Sequence, residues 1–125
     1  ATSATTMAAS SASAAPDVHC VFHDSTNTCT YIVTDPATKH AAIIDPVMDF
    51  DPASGRTANT HNDRVLAKVK ELGVSVQYII ETHVHADHMT GAGYLKEQLP
   101  GAKTVIGEHV RTVQTVFKGI FNISD

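Results

Sequence analysis

The stretch "ETHVHADHMTG", residues 81–91, places three histidines and one aspartate within six consecutive positions. In extended backbone, side chains two residues apart lie on the same face, so His83, His85 and Asp87 are expected to point together. A turn into a helix starting near His88 is expected to bring that ring to the same point. Imidazole and carboxylate groups suit zinc, iron or manganese better than a metal that prefers thiolates. These four residues therefore predict a metal site.

Neighbouring groups on one short loop rarely enclose an ion by themselves, so the predicted site needs ligands from elsewhere in the fold. Downstream of His88 the sequence contains one more histidine, His109. The site is therefore expected to be incomplete within this chain. The histidines outside the cluster are interpreted as ordinary surface or hydrogen-bonded residues: His19, His23, His40, His61 and His109.

The overall composition is that of a globular domain and argues against several functions. A length of 125 residues suffices for one domain, and 42% hydrophobic and 18% charged residues are ordinary for a folded protein. The net charge of −4, without any run of Lys or Arg, argues against binding to nucleic acid or to an anionic membrane surface. No apolar run approaches the roughly 18 residues that a membrane-spanning helix needs.

The first 16 residues differ from the rest, because 14 of them are Ala, Ser or Thr and none is charged. Such a segment cannot bury a core face, so residues 1–17 are predicted to be a disordered leader or tail and residues 18–125 the folded domain. Organelle transit peptides are similarly Ser-rich and poor in acidic residues, but they are also Arg-rich, and the first basic residue here is Lys39. A flexible tail and a transit-peptide remnant both remain open. The predicted location is mitochondrial or cytoplasmic, not secreted.

Cys20 and Cys29 are the two cysteines of the chain. A disulfide across a hairpin is one interpretation of their spacing. Because no secretory signal is in view, two reduced and partly buried thiols of an intracellular protein are the favoured interpretation. Neither cysteine lies in a CxxC pattern, so neither is assigned to a metal or to a redox function.

The first half of the domain predicts strands followed by a loop. Short segments rich in β-branched and aromatic residues, separated by turn-forming clusters, predict antiparallel strands over 18–22, 29–34 and 40–45. Residues 46–62 carry two prolines, a glycine and no periodicity, which predicts a long loop. Arg56 in this loop could reach an anionic substrate, but a solvated side chain is the favoured interpretation.

The second half predicts helices that alternate with strands. The helical spacing of Val65, Leu66, Val69 and Leu72 predicts a helix with Thr60 or Asn62 as its N-cap and Gly73 as its end. Further along, the pattern predicts a strand over 74–80, a short helix over 91–100, a strand over 103–107 and an amphipathic helix over 110–121. This order predicts a mixed α/β (α+β) fold in which helices pack on a sheet.

The motif H-x-H-x-D-H after a buried strand is the hallmark of the metallo-β-lactamase superfamily, and "HVHADH" at 83–88 resembles it at every position. The resemblance extends from about Val18 to the end of the chain. Segments 41–57, 81–110 and 116–122 are similar to the persulfide dioxygenases, also called sulfur dioxygenases. The resemblance implies the N-terminal half of an αββα sandwich, because the superfamily domain is roughly twice as long as the part present here.

The persulfide dioxygenase resemblance implies a non-haem iron enzyme that oxidises glutathione persulfide with O₂ to sulfite. It implies one Fe(II), held by His83 together with a histidine and an aspartate from further along, with His85, Asp87 and His88 lining or supporting the site. Asp45, in "IIDP", matches a position that supports the metal ligands from behind. The alternative for Asp45 is that it only caps the turn before Pro46.

Two other functions remain open. A glyoxalase II-like enzyme shares the "IDP" and histidine motifs; it would hold two metals, two Zn or Fe with Zn, with His83 and His85 on one ion and Asp87 and His88 on the other. Its substrate would be a glutathione thioester. The third alternative is an inactive metal- or partner-binding half-domain. In that case the uncovered apolar face and sheet edge need another chain, so a homo-oligomer is expected.

Overall fold

The computed structural model describes residues 15–124, so most of the predicted leader over 1–17 lies outside the described residues. Eight strands and three helices follow in the described part of the chain. The strands are β1 (Asp17–His23), β2 (Thr28–Thr34), β3 (His40–Ile44), β4 (Val47–Asp51), β5 (Arg56–Ala58), β6 (Ser75–Glu81), β7 (Met89–Thr90) and β8 (Lys103–Ile106). The helices are α1 (Thr60–Leu72), α2 (Ala92–Gln98) and α3 (Val110–Phe121).

The main sheet has five strands in the order β1-β2-β3-β6-β8. The β1–β2 and β2–β3 pairs are antiparallel, whereas β3–β6 and β6–β8 are parallel. Parallel neighbours need a crossover connection, and α1 and α2 lie in the two crossovers. In the β3–β6 pair, Ile44 lies opposite Ile80, so the carboxyl ends of both strands meet at one edge of the sheet. The residues that follow these ends, Asp45 and Thr82, are thereby brought together.

The core lies between this sheet and the first two helices. Val65 of α1 and Leu95 of α2 are fully buried in one cluster with strand residues such as Ile32, Ile43 and Ile79. Burying one side chain of this size contributes about 1.5–3 kcal/mol. Both helices therefore cover the same face of the sheet.

The other face of the sheet and the last helix expose apolar side chains. Phe22, Tyr31 and Tyr78 are 40–45% exposed on the uncovered face. The amphipathic helix predicted over 110–121 is present as α3, but none of its residues is buried, and Ile120 and Phe121 are each 65% exposed. One helix layer on one sheet is half of a four-layer sandwich.

No helix in the described part of the chain is long and apolar enough to cross a membrane.

The predicted loop over 46–62 is wrong, because this stretch contains β4, β5 and the start of α1. Both strands are short, and every residue of β5 is exposed. Neither strand therefore shows the alternation of apolar and polar residues from which a strand is predicted. The turn between them is held by Asp51, whose carboxylate accepts hydrogen bonds from the Ala53 N–H at 3.0 Å and from the Ser54 hydroxyl at 2.5 Å. Local turn chemistry and pairing with β7 therefore create this small sheet of three strands, β5-β4-β7.

The ends of α1 confirm one prediction and correct another. Gly73 ends the helix in the left-handed conformation, with φ +62°, and its N–H donates to the Lys70 carbonyl, as the sequence predicts. The N-cap is Asn59, one residue before Thr60, so neither Thr60 nor Asn62 holds that position. Asn62 is instead fully buried.

Gly91 precedes α2 at a place where the backbone passes directly over the Asn62 carboxamide. A Cβ atom at residue 91 would lie 2.7 Å from Asn62 Cγ, well inside contact distance. The Gly91 N–H donates to the Pro46 carbonyl at 2.8 Å, which fixes this approach. Because Asn62 is fully buried, its side chain has no open space into which to move.

We therefore predict that Gly91→Ala lowers the free energy of unfolding by about 2 kcal/mol through overpacking against Asn62. Gly93 is the matched control, because a Cβ there meets nothing within 4 Å and the residue lies inside α2. Gly93→Ala should be neutral or stabilise by about 0.5–1 kcal/mol. Urea unfolding of both variants measures the difference, and equal stabilities would contradict the packing described.

Candidate metal centre

The histidine cluster lies at the sheet edge where β3 and β6 end. The chain leaves β6 at Glu81 and passes through bends from residue 82 to residue 88 before β7 begins at Met89. The expectation of extended backbone through the cluster is therefore wrong, and so is the helix start near His88, because α2 begins at Ala92. Sharp bends bring the side chains together instead.

Asp45 connects the ends of the two parallel strands. Its backbone is in the left-handed region, with φ +51°, a conformation that Asp tolerates better than most residues. Its Oδ1 accepts hydrogen bonds from the Thr82 N–H at 2.8 Å and from His85 Nε2 at 3.0 Å, and its Oδ2 accepts one from the Thr82 hydroxyl at 2.8 Å. The side chain therefore does more than cap the turn before Pro46.

These hydrogen bonds assign the protons on two histidines. Thr82 has one hydroxyl proton and donates it to Asp45, so His83 Nδ1, 2.8 Å from that hydroxyl oxygen, must be a donor. His83 Nε2 then carries the free lone pair. His85 Nε2 donates to Asp45, which leaves the lone pair of this ring on Nδ1. Each ring thus keeps one nitrogen for a metal ion.

The three imidazole rings of the cluster form a row. The ring centroids of His83 and His85 are 4.1 Å apart, and those of His85 and His88 are also 4.1 Å apart. Asp87 lies beyond this row, with its Oδ1 3.6 Å from His85 Nδ1 and its Oδ2 3.5 Å from His88 Nδ1. Both distances are too long for good hydrogen bonds.

The arrangement fits a metal ion, because it leaves buried polar atoms without partners. The His88 side chain is 1% exposed, and neither of its ring nitrogens has a hydrogen bond within the described residues. One ligand atom each from His85, Asp87 and His88 lies within 4.8 Å of the others. Zinc or iron bound by nitrogen and oxygen at about 2.0–2.2 Å would give these atoms a partner. His83 lies outside this group of three, beside His85.

Glu81 is a site residue that sequence reasoning missed. It accepts a very short hydrogen bond from the Thr90 hydroxyl, and its Oε2 lies 3.5 Å from His85 Nε2. Together with Asp45 and His85 it forms a second group of ligand-type atoms within 4.8 Å. As the last residue of a strand, Glu81 carried no signal beyond its position next to the histidine motif.

Four ionisable groups at the centre are shifted by their surroundings, and in the exposed Asp87 a hydrogen bond from its own backbone lowers the pKa of the carboxyl. Burial acts to raise the pKa of Asp45, but the hydrogen bonds from Thr82 and His85 together lower it below its ordinary value. Burial raises the pKa of Glu81 despite the Thr90 hydrogen bond. Burial, followed by the neighbouring His85, lowers the pKa of His88 and favours the neutral ring that binds metals.

Residues 24–121 match the sequence model of the metallo-β-lactamase superfamily. The chain belongs to this superfamily. Its members bind metal ions, and the histidine cluster supplies candidate ligands for one. The mixed α/β fold and the half-sandwich predicted from the sequence are confirmed.

The curated relatives include both hydrolase-like proteins and a dioxygenase. The chain is 48% identical to the beta-lactamase hydrolase-like protein of Xylella fastidiosa over 108 residues. This aligned region covers 86% of this chain and 25% of that protein. It is 45% identical over 92 residues to glyoxylase B2 of Dictyostelium discoideum, covering 74% and 32%. It is 38% identical over 86 residues to the mitochondrial persulfide dioxygenase ETHE1 of Mus musculus, covering 69% and 30%.

Among solved structures, the crystal structure of ETHE1 from Myxococcus xanthus is similar, with 34% identity and a TM-score of 0.58 over 70% of this chain and 34% of that chain. The chain thus spans about a quarter to a third of the length of these relatives.

Three cavities border this metallo-β-lactamase cluster, and the smallest of them, of about 210 Å³, is lined by Glu81, His83 and His85 among others. One, of about 530 Å³, is lined by Asp87 and His88 together with Met48, Phe50 and Met89 among others. The second, of about 240 Å³, lies on the His83 side and contains His109 in its lining. His109 faces a cavity next to the motif, yet it does not join the cluster. Arg56 lies in β5 and lines a different cavity with His23 and Asp49.

Behind the metallo-β-lactamase motif, His61 belongs to a buried network. Its Nε2 lies 2.9 Å from the Thr30 hydroxyl, which donates its own proton to the Asp45 carbonyl at 3.0 Å. His61 Nε2 is therefore the donor, and its Nδ1 is buried without a hydrogen bond in the described part of the chain. His23 lies beside it, 3.2 Å from Asp49 Oδ1. Both histidines are hydrogen-bonded, as expected, but they are buried rather than at the surface.

Burial lowers the pKa of His61 from 6.5 to about 4, helped by the nearby His23 and Arg64 and opposed by Asp49 and Asp24. The unfolded chain takes up a proton here below about pH 6.5, whereas the folded chain does not until about pH 4. The stabilisation that His61 contributes is therefore fully present above about pH 6.5, and it is lost as the pH falls from about 6.5 to about 4.

We predict that the free energy of unfolding falls by about 2 kcal/mol between about pH 7 and about pH 5, and that His61→Gln removes most of this slope. Glutamine can keep the hydrogen bond to Thr30 without titrating. Urea unfolding at both pH values measures the slope, with His40→Gln as the exposed control. An unchanged slope in His61→Gln would contradict the buried neutral ring.

We also predict that Asp45→Asn weakens metal binding by about 10–100-fold, because the amide cannot accept all three hydrogen bonds that orient Thr82 and His85. Zinc titration against a competing chelator measures the affinity. Asp35→Asn is the control, since Asp35 makes a comparable set of turn hydrogen bonds far from the cluster. Equal affinities for both variants would show that Asp45 does not organise the ligands.

Proposed function

We propose that this chain carries part of the active site of a non-haem iron persulfide dioxygenase. The supporting observation is that a sequence relative at 38% identity is named persulfide dioxygenase ETHE1, and that a solved structure at 34% identity also bears the name ETHE1. The sequence match itself establishes a more general description: the chain belongs to the metallo-β-lactamase superfamily, whose members bind metal ions. Residues 18–125 would form the partial domain. The proposed location is mitochondrial or cytoplasmic, and the name of the mouse relative includes the word mitochondrial.

His83 is the residue we assign to one Fe(II), through its free Nε2. A further histidine and aspartate would complete the three protein ligands, and His85, Asp87 and His88 would line or support the site. Nitrogen and oxygen donors with open positions suit Fe(II). When bound, Fe(II) supplies the positions at which a persulfide sulfur and O₂ meet, so that glutathione persulfide, O₂ and water give glutathione and sulfite.

In this proposal, residues of this chain orient the imidazole rings that would bind the metal. Asp45 holds the protons of His83 and His85 on the nitrogens that face away from the ligand positions, directly for His85 and through Thr82 for His83. Glu81 lies on the same side, with its Oε2 3.5 Å from the His85 Nε2 that donates to Asp45, so two carboxylates border the protonated nitrogen of this ring. Neutral rings with fixed tautomers bind a metal without first reorganising, which raises affinity. Asp45 and Glu81 are therefore proposed as supporting residues rather than ligands.

The largest cavity beside the cluster is the proposed place for the sulfur end of the substrate. Its walls next to Asp87 and His88 include Met48, Phe50 and Met89, a largely apolar surface suited to a polarisable sulfur atom. None of the residues that line it is Lys or Arg. The carboxylates of glutathione would therefore be bound by residues outside this cavity.

A glyoxalase II-like thioesterase is the second candidate, and the 45% identity to glyoxylase B2 favours it. In that case Asp87 and His88 would hold a second ion, two Zn or Fe with Zn in all. Such ions would supply an activated water for hydrolysis of a glutathione thioester, since metal binding brings the pKa of water close to neutral. The exposed side chain of Asp87, 62% accessible, leaves room for that ion.

An inactive metal- or partner-binding half-domain is the third candidate. The exposed apolar face of α3 supports it, because a homo-oligomer would cover that face. No contact with a nucleic acid or a membrane is part of any of the three proposals.

Oxygen uptake with glutathione persulfide, measured beside hydrolysis of a glutathione thioester, separates these candidates. We predict that iron-loaded protein containing this chain together with the further histidine and aspartate ligands consumes O₂ and releases sulfite without hydrolysing the thioester. Thioester hydrolysis without oxygen uptake would favour the glyoxalase II-like enzyme. Neither activity, together with concentration-dependent light scattering, would favour the half-domain.

His83→Ala should abolish iron binding in the same experiment, because it removes the proposed ligand. His40→Ala is the matched control, since His40 is exposed at the start of β3 and distant from the cluster. Iron content by elemental analysis is the readout. Full iron occupancy in His83→Ala would overturn the assignment of this ligand.

A further inference from the structure

The two cysteines lie on the open face of the hairpin formed by β1 and β2. Cys20 pairs with Tyr31 across the strands, and Cys29 pairs with Phe22. Since side chains alternate along a strand, all four residues point to the same face, and Val21 on the opposite face is buried in the core. Cys20 and Cys29 are thus diagonal neighbours on the exposed side of an edge hairpin.

The geometry brings the two thiols into direct contact. Their Sγ atoms are 2.7 Å apart, and both cysteines are free. A disulfide bond is about 2.0 Å long, so the sulfurs need to approach by only about 0.7 Å. Cys20 is exposed and Cys29 is half-buried, so small reagents can reach the pair. Contact and access favour thiol–disulfide exchange, which also needs a thiolate; the hydrogen bond with Cys29 raises the pKa of the Cys20 thiol to about 11, so attack by Cys20 is slowed near neutral pH.

We propose that Cys20 and Cys29 form a reversible intrachain disulfide by exchange with low-molecular-weight disulfides such as glutathione disulfide. One cysteine thiolate attacks a sulfur of the small disulfide, forms a mixed disulfide and releases one small thiolate. The second cysteine, as its thiolate, attacks the protein sulfur of the mixed disulfide and releases the other small thiolate. The two cysteine protons end on the released thiolates, so the protein is oxidised and one small disulfide is reduced to two thiols.

The disulfide would restrict a part of the chain that borders the metal centre. It closes a ring over residues 20–29, which contains the turn between β1 and β2. Ser25 and Thr26 of that turn line the cavity of about 530 Å³ beside Asp87 and His88. Thr26 also makes a 2.7 Å hydrogen bond to the ring of His23. Oxidation of the pair therefore fixes one wall of that cavity.

The test is the equilibrium of the full chain with glutathione redox buffers. Because the chain has two cysteines, any intrachain disulfide is this one. Alkylation of free thiols followed by mass spectrometry counts the oxidised form. We expect both thiols to disappear together in the monomer, without a stable glutathione adduct. The oxidation equilibrium constant should be at least about tenfold larger in buffer than in concentrated urea, because the fold holds the thiols together.

Two variants control the geometry. Cys20→Ser should leave Cys29 as a stable mixed disulfide with glutathione, which shows that reagent reaches this position. Moving the first thiol by two residues, with Cys20→Ser and Val18→Cys combined, keeps it on the same face but opposite Val33, away from Cys29. That variant should lose the tenfold advantage of the folded state. Equal equilibrium constants in buffer and urea for the original chain, or stable glutathione adducts on both of its cysteines, would overturn the proposal.

Discussion

The carboxylate of Asp45 is the interaction on which the candidate metal centre depends. It accepts hydrogen bonds from the backbone and the hydroxyl of Thr82 and from His85, so one side chain fixes the chain direction after β6 and the protons on two imidazoles. A carboxylate that accepts several hydrogen bonds stays ionised, consistent with the lowered pKa of Asp45. These hydrogen bonds tie the first of the bends that follow Glu81 to the residue directly after β3.

The pairing of the two parallel strands β3 and β6 fixes the position of Asp45 at the edge of the sheet. β3 and β6 end side by side, and the Asp45 N–H donates to the Ile80 carbonyl at 2.8 Å, which extends this pairing by one residue. The next residue, Pro46, turns the chain into β4, and its carbonyl receives the Gly91 N–H from beyond the histidine motif. Buried core residues, strand pairing and the turn after β3 thus all help to fix the position of Asp45. Sites at the carboxyl ends of parallel strands arise in this way.

Much of this arrangement could be predicted from the sequence, and the failures have physical causes. Core-facing periodicity located α1 and β6, because apolar residues at helical or alternating spacing must face a core. The β4–β5 hairpin was missed, since its strands are short and held by turn chemistry and by pairing with β7 rather than by apolar alternation. The cluster was found by residue type and spacing, although bends rather than extended backbone bring the rings together. Glu81 was missed because its role comes from tertiary contacts with His85 and Thr90, which no spacing encodes.

The tautomers of His83 and His85 in the metal-free chain test the central claim most directly. Nitrogen chemical shifts of the ring atoms, measured by NMR with both rings neutral, report which nitrogen carries the proton. We predict a proton on Nδ1 of His83 and on Nε2 of His85, and loss of this fixed assignment in Asp45→Asn. Rings that exchange freely between tautomers, or the same assignment with and without the Asp45 carboxylate, would contradict the account.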